Sequence, residues 1–353
     1  DNCFLNNSIK SISFPNTTEF TAGSCSFKGC TLLHDFSIPL AYSITFGDSC
    51  FSGSQSISNI EFKCQSLTLG TKCFENCTSY QIFNFTIHEN VKQQNNNKFK
   101  YNPPESSINI GDECFTGTSQ LSGINIKCDK IELGKSMVKN CPKISYVHIC
   151  SDKEVIVPTS TFEGIKSLEK VILNSQGKLK LSKGCFSNLP SLNEVTINAN
   201  EVLIEDNCFN ECNSLSSFKI KSLPKSITLG QEEFNKCSNL KKLQMTSDDS
   251  IHLLSHGLSK SSIENIELSS KEITIDDYGL SSMKSLKTFQ AKDSMNTFIG
   301  NNAFDKCSNL SSVKLNSKEK IITNKSSFSS TKLKIFEMNS PEIYLGEQIL
   351  NNC

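Results

Sequence analysis

One segment shape returns along nearly the whole chain, and it leaves few folds open. It reads Leu67-Thr68-Leu69-Gly70-Thr71-Lys72-Cys73-Phe74-Glu75-Asn76-Cys77 in one place. It returns as Val202-Leu203-Ile204-Glu205-Asp206-Asn207-Cys208-Phe209-Asn210-Glu211-Cys212, and again around Gly111 and Gly230. Taking the Gly position as zero, apolar residues stand at −3 and −1 and usually a small residue at +3. Phe or Leu stands at +4 and often Cys at +7. Leu or Ile follows at +10, with apolar residues at +13 and +15. Fourteen zero positions can be anchored: Gly23, Gly47, Gly70, Gly111, Gly134, Pro158, Ser182, Glu205, Gly230, Leu254, Asp276, Gly300, Asn324 and Gly346. Their spacing stays near 23 residues except for one step of 41, from Gly70 to Gly111. A further unit enters at Cys3-Phe4, already past its own zero position. A fixed period in this range is the signature of a stacked-repeat architecture.

The local pattern says what each unit builds. The stretch Leu192-Asn193-Glu194-Val195-Thr196-Ile197 alternates as a strand with one buried face. The −3 to −1 stretch, as in Ile273-Thr274-Ile275, predicts a second short strand. Glycine at zero, as at Gly23, Gly47, Gly70 and Gly111, is expected to allow a turn that would strain a side chain. The Cys-Phe-x-x-Cys stretch is too short for a helix and predicts an irregular or 3₁₀-like turn with its Phe turned inward. That role falls to Phe27, Phe51, Phe74, Phe115, Phe162, Phe186, Phe209, Phe234, Phe304 and Phe328. A single coil cannot bury its apolar side, so stacked coils must share one core. The expectation is a β-rich solenoid of about 14–15 units of ~23 residues, with two short parallel strands per coil and little helix. The composition fits this economy. Only 37% of the 353 residues are apolar, and 35 Asn with 75 Ser plus Thr make the chain polar.

The repeat resembles the BspA-like, or Treponema-type, leucine-rich repeats. That class reads roughly Leu-x-x-Ile-x-Ile-Pro followed by Ile-Gly-x-x-Ala-Phe-x-x-Cys. Matching residues are Phe36-Ser37-Ile38-Pro39 and Ile299-Gly300-Asn301-Asn302-Ala303-Phe304-Asp305-Lys306-Cys307. Departures are Cys in place of Ala at +3, few Pro, and six zero positions without Gly. They mark a diverged, Asn- and Lys-rich member, of the kind anaerobic protist parasites carry in large families. The resemblance implies a cell-surface or extracellular protein that attaches to host cells, matrix proteins or other microbes.

The 41-residue step holds a polar insertion at about 88–105, including Gln93-Gln94-Asn95-Asn96-Asn97 and Pro103-Pro104, which reads as a loop on the solenoid edge. Residues 1–353 are expected to form a single solenoid, a window on a longer array whose uncapped ends meet neighbouring repeats or self-associate. No apolar run reaches membrane-spanning length, and Asp1-Asn2-Cys3-Phe4 has no signal-peptide character.

Seventeen cysteines stand out, and 13 follow the repeat phase. Six sit at +3 (Cys3, Cys50, Cys73, Cys114, Cys185, Cys208) and seven at +7 (Cys30, Cys77, Cys141, Cys212, Cys237, Cys307, Cys353). Ser26, Ala303 and Ser327 fill +3 elsewhere, so cysteine reads chiefly as a small buried hydrophobe. Stacked pairs such as Cys50/Cys73, Cys185/Cys208 and Cys212/Cys237 lie within disulfide range of one another, although parallel side chains disfavour the bond. No His flanks the Cys-x₃-Cys pairs, so no metal is expected.

A net charge of zero gives poor footing for nucleic acid. The sequence has no Gly-x-Gly-x-x-Gly, Walker, His-Glu-x-x-His or Gly-x-Ser-x-Gly pattern, and the acidic pairs Asp248-Asp249 and Asp276-Asp277 suit turns. Neither catalysis nor a cofactor is expected. Six Asn-x-Ser/Thr sequons, Asn6, Asn16, Asn76, Asn84, Asn309 and Asn324, match chance for this composition. Solenoids bind through a long concave face. On outward strand positions, Tyr146, His148 and Ile172 predict an aromatic and apolar patch. Lys219, Lys221, Lys241 and Lys242 predict a basic stripe. The expected function is a non-enzymatic module for protein binding or adhesion, with a protein or glycan partner. The alternative is an intracellular cytoskeletal or ciliary scaffold on the same repeat.

Overall fold

The computed structural model describes residues 1–38, 40–86 and 105–353. Apart from Glu105, the insertion expected at about 88–105 lies outside the described residues. The chain is a parallel β-solenoid of about 13 turns, without helix among the described residues. It divides into two compact units, Asp1–Gln176 and Gly177–Cys353.

Each coil contributes the two short strands its alternation predicts. In the first unit one ladder holds β2 (Glu19–Ala22), β4 (Ser43–Phe46), β5 (Ser66–Leu69), β7 (Ser107–Ile110), β9 (Lys130–Glu132) and β11 (Val155–Val157). The other holds β6 (Ile82–Thr86), β8 (Gly123–Lys127), β10 (Tyr146–Ser151) and β12 (Lys170–Ser175), while β1 (Ser11–Ser13) pairs with β3 (Asp35–Ser37). All pairings are parallel and keep the repeat in phase, as in Leu67↔Ile108 and Val147↔Val171. The second unit repeats the plan. One ladder has β13 (Lys178–Leu181), β15 (Glu201–Ile204), β17 (Ser226–Leu229), β19 (Ser250–Leu253) and β21 (Glu272–Ile275). The other has β14 (Glu194–Asn198), β16 (Ser217–Ile220), β18 (Lys242–Thr246) and β20 (Asn265–Ser269). In β22 (Thr288–Ile299) and β23 (Ser312–Thr323) both strands of a coil run together through a bulge near Ser294, before β24 (Ile335–Asn339) and β25 (Glu342–Leu345).

The core is a stack of phenylalanines. Phe4, Phe27, Phe51, Phe74 and Phe115 lie face to face at 5.1, 5.2, 5.1 and 5.5 Å. Phe186, Phe209 and Phe234 stack at 5.7 Å in the second unit, and Phe304 and Phe328 at 4.8 Å. Full burial of each such ring contributes roughly 1.5–3 kcal/mol.

The turn between the strands is more regular than its sequence suggests. In every anchored unit the residues at +2 and +6 have positive φ, for example Lys72 at 56° and Asn76 at 55°. Left-handed conformations cost non-glycine residues about 1–2 kcal/mol each. They are offset because alternate N–H groups now point along the stack. Ser49, Phe51 and Gly53 donate to the carbonyls of Thr71, Cys73 and Glu75 on the next rung, at 2.8 Å each. Three such bonds at a net ~0.5–1.5 kcal/mol balance two left-handed residues. The turn is thereby a third ladder between rungs.

The glycine at zero has a different reason from the one its position suggests. None of these glycines has positive φ. A Cβ on Gly70 would lie 2.6 Å from the Asp48 nitrogen, and one on Gly111 2.5 Å from the Thr71 nitrogen. Close approach of stacked backbones sets the preference. A positive-φ site could not hold Pro158, which occupies the same position.

The +7 slot also has a more specific chemistry than small size. Cys30, Cys77, Cys141, Cys212, Cys237, Cys307 and Cys353 each donate Sγ–H to the carbonyl of the +4 residue on the preceding rung, at 2.9–3.2 Å. Ser54 does the same to Phe27 at 2.6 Å and Thr118 to Phe74 at 2.9 Å. In these nine units the slot holds a small donor, whereas Ile165, Leu189 and Met283 fill it with apolar bulk. At the opposite corner of the coil a serine ladder serves likewise. Ser151 donates to the Asp129 carbonyl at 2.6 Å, Ser175 to Lys153 at 2.7 Å, and Ser247 to Lys225 at 2.9 Å.

Met137, Glu233 and Ile349 depart from a small residue at +3. Of these only Glu233 is ionisable, and it is fully buried. Its carboxyl oxygens accept from the Cys208 and Phe209 backbone N–H groups at 3.3 and 3.4 Å. In other rungs that second donor bonds a main-chain carbonyl, as Phe186 does to Cys208 at 3.1 Å. The next residue, Phe234, is driven to a φ of 59°. Burial holds the Glu233 carboxyl well above the usual carboxylate range.

Candidate functional site

The outward face of β6, β8, β10 and β12 in the first unit gathers the aromatic residues expected there. Alternation along these strands presents twelve positions in three rows. Register places Ile82, Gly123, Tyr146 and Lys170 in one row, and Asn84, Asn125, His148 and Ile172 in the next. The last row is Thr86, Lys127, Cys150 and Asn174. His148 and Ile172 are thus direct neighbours.

Tyr146 leans the other way. A Cβ on Gly123 would meet its Cζ at 2.1 Å and its hydroxyl oxygen at 2.5 Å. The ring therefore lies across the sheet in the space this glycine leaves, toward Ile82, which is 42% exposed. Neither Gly123 nor Ile82 stood out in the sequence. The available signal was a glycine at the start of an alternating strand, which marks a close approach.

Amides fix the rest of the face. Asn125 donates Nδ2–H to Asn84 Oδ1 at 3.0 Å. Asn174 Nδ2 lies 3.2 Å from His148 Nε2. Burial, with Lys127 nearby, pushes the His148 imidazole below its ordinary pKa, so the ring is neutral and accepts at Nε2. Cys150 is half-buried on the same face, and burial pushes its thiol up.

The four lysines expected as a basic stripe lie in the second unit, on exposed positions. Lys219 sits on β16 opposite Thr196, and Lys221 just beyond the strand end. Lys219 and Lys242 line one shallow depression of about 350 Å³ with Gln244 and Thr246. Lys241 and Lys242 face carboxylates on the following rung, Glu264 at 3.6 Å and Glu267 at 3.8 Å. Glu264 continues to Lys287 at 2.5 Å, and Glu267 to Lys292. The Lys287 ammonium holds the Glu264 carboxyl below its usual range. Lys241 and Lys242 are therefore the first members of alternating Lys–Glu–Lys ladders. The carboxylates of those ladders were not singled out in the sequence because they sit one rung further on. At the last coil, Ile343 and Leu345 are exposed at 41% and 59%, whereas their counterparts Ile273 and Ile275 are buried.

All 17 cysteines carry free thiols, and 13 are buried. The stacked Cys185 and Cys208 sulfurs are 3.9 Å apart. Among the described residues no group of three or more His, Cys, Asp or Glu could hold a metal ion. Nor is any helix long and apolar enough to cross a membrane.

This geometry defines a class before any comparison: a parallel β-solenoid whose elaborated surface is the outward side of one ladder. The comparisons make the class specific. The BspA type leucine rich repeat region model matches residues 1–104, 93–212, 156–278 and 254–353, so the chain belongs to that family. Among solved structures, a leucine-rich repeat protein from Bacteroides ovatus is 18% identical with a TM-score of 0.41. The match covers 93% of this chain and 84% of that one. A leucine rich cell surface protein from Faecalibacterium prausnitzii is 12% identical with a TM-score of 0.28, covering 89% and 81%. No curated protein matches the chain.

Proposed function

We propose that this chain is a non-enzymatic adhesion module, displayed at the cell surface, that engages its partner with the outward face of β6–β12. The observation that carries the reading is the Tyr146 ring laid over Gly123, on the same face as the neighbouring His148 and Ile172. Apolar and aromatic groups at solvent-facing strand positions serve no core, and such residues favour interfaces. Surface display is what the family resemblance implies. An intracellular scaffold would draw on the free thiols. Thirteen of those thiols are buried within the stack, and those at +7 serve there as donors, so their reduced state does not speak for one compartment.

The test displays the chain on a non-adherent bacterium and counts attachment to epithelial monolayers and to immobilised matrix proteins. The Tyr146→Ala/His148→Ala variant should keep the wild-type circular dichroism and thermal midpoint while attachment falls to background. Undiminished attachment by a folded variant would refute the assignment of this face.

A further inference from the structure

We propose that the face of β6–β12 recognises a neutral carbohydrate, with the Tyr146 ring as its stacking platform and the Asn84 and Asn125 amides as its hydrogen-bonding groups. This names the partner class of the site proposed above and rests on that reading.

Charge comes first. The twelve outward positions of these strands contain no carboxylate, and their only ammonium groups, Lys127 and Lys170, stand in the outer rows. His148 is neutral, its Nε2 engaged with Asn174. The corresponding strands of the second unit carry Lys242, Glu267 and Lys292 in ion pairs. A charged protein surface finds complementary groups there and few on β6–β12. With no carboxylate and two lysines confined to the outer rows, the face offers an aromatic ring, amides, an imidazole and hydroxyls, which suits an uncharged polyhydroxy ligand.

Geometry comes second. Gly123 opens β8, and a glycine in a strand commonly marks a place where another group must approach closely. Here that group is the Tyr146 ring, which the missing Cβ lets lie along the sheet. Held this way and half-buried, the ring offers its remaining surface as an apolar platform for the C–H face of a pyranose.

Hydrogen bonding comes third. The 3.0 Å bond between Asn125 Nδ2 and Asn84 Oδ1 locks two amide planes side by side. It leaves the Asn125 oxygen and the Asn84 NH₂ as an adjacent acceptor and donor. A pair of vicinal hydroxyls, each both donor and acceptor, meets that arrangement directly.

The test uses protein from a bacterial host, so that the Asn84-Phe85-Thr86 sequon on this face stays unmodified. Saturation-transfer NMR is run with lactose, cellobiose, diacetylchitobiose and mannobiose, each at about 10 mM, since an open face binds single disaccharides weakly. Wild type and Tyr146→Phe should show transfer to at least one sugar, unchanged by added salt. Tyr146→Ala should weaken it about tenfold or more. Gly123→Ala, which keeps the tyrosine but displaces its ring, should do the same with an unfolding midpoint that shows a folded chain. No transfer from wild type to any of the four, or equal transfer in Tyr146→Ala, overturns the proposal. The attachment assay separates the two levels. If Tyr146→Ala/His148→Ala abolishes attachment but no sugar binds and glycosidase-treated monolayers still hold the wild type, the face stands and the partner is a protein. If the variant attaches normally, both readings fall.

Discussion

Replacing Cys77 tests whether the +7 slot selects a donor or merely a small residue. Its Sγ–H donates to the Phe51 carbonyl at 3.0 Å, and that oxygen already accepts from the Ser54 N–H at 2.9 Å. Removing the thiol therefore leaves the carbonyl with one bond and not stranded. The loss belongs in the range of a net hydrogen bond, about 0.5–1.5 kcal/mol, and not in the 1–3 kcal/mol of an unsatisfied buried group. Serine keeps the donor, and Ser54 and Thr118 already bond the equivalent carbonyls at 2.6 and 2.9 Å. Cys77→Ser should thus be more stable than Cys77→Ala by about 1 kcal/mol. A purely apolar slot predicts the reverse order, because serine would bury an unneeded hydroxyl. Urea unfolding, with hydrogen exchange followed on the peptide spanning 67–81, reads the difference. The triple set at Cys30, Cys77 and Cys141, all in the first unit and on separate rungs, should amplify it roughly threefold. Alanine variants as stable as the serine variants would refute the donor reading.

Two further outcomes follow from the buried groups. In the native protein a thiol reagent such as DTNB should react readily only with the exposed or half-buried Cys3, Cys25, Cys150 and Cys353. The other 13 should appear on unfolding, because burial pushes thiols such as Cys50, Cys64, Cys141 and Cys307 up to about 12; more than four fast thiols in folded protein would contradict this. Glu233 should make stability fall as pH rises from the ordinary Glu range near 4.5 toward its raised native value, because only the unfolded state releases the proton there. Desolvation dominates, with Asp206 and Cys237 adding repulsion. Glu233→Gln should flatten that slope in urea titrations between pH 4 and pH 7, and an unchanged slope would show that Glu233 is not its source.

The period, the two strands per coil and the inward Phe column were legible because each repeats in phase and each is apolar. Hydrogen-bonding slots were less so. Gly or Asn stands at +6 in eight of the fourteen anchored units, including Gly29, Gly53 and Asn76, and this was the visible trace of a left-handed residue. At +2 the same conformation is held by residues as different as Cys25, Lys72 and Tyr278, so no composition rule exposes it. Position alone also misleads about cause, since glycine at zero answers a neighbour's backbone and not its own φ. The candidate site was half legible. Tyr146, His148 and Ile172 could be placed on one face by alternation. The lean of the ring over Gly123 depends on what the next rung lacks, which only register reveals.

The same logic alters what the cysteines say. A chain with 17 cysteines invites a reading in terms of oxidising or reducing surroundings. That reading assumes the thiol is present for its redox chemistry. In the +7 slot the useful atom is the hydrogen on sulfur, donated to a carbonyl one rung back, and a disulfide would remove it. Serine and threonine substitute there without oxidation chemistry, which a redox role would not permit. The stacked Cys185 and Cys208 make the point at +3. Their sulfurs are 3.9 Å apart, close to van der Waals contact, while the Cys208 Sγ is also 3.2 Å from the Ser182 carbonyl. Their side chains stack in parallel and point the same way, which disfavours turning the two sulfurs onto each other to close a bond. Buried thiols of this kind persist wherever the folded stack persists, so 13 of the 17 cysteines follow from two slots copied along the repeat and carry no vote on the compartment.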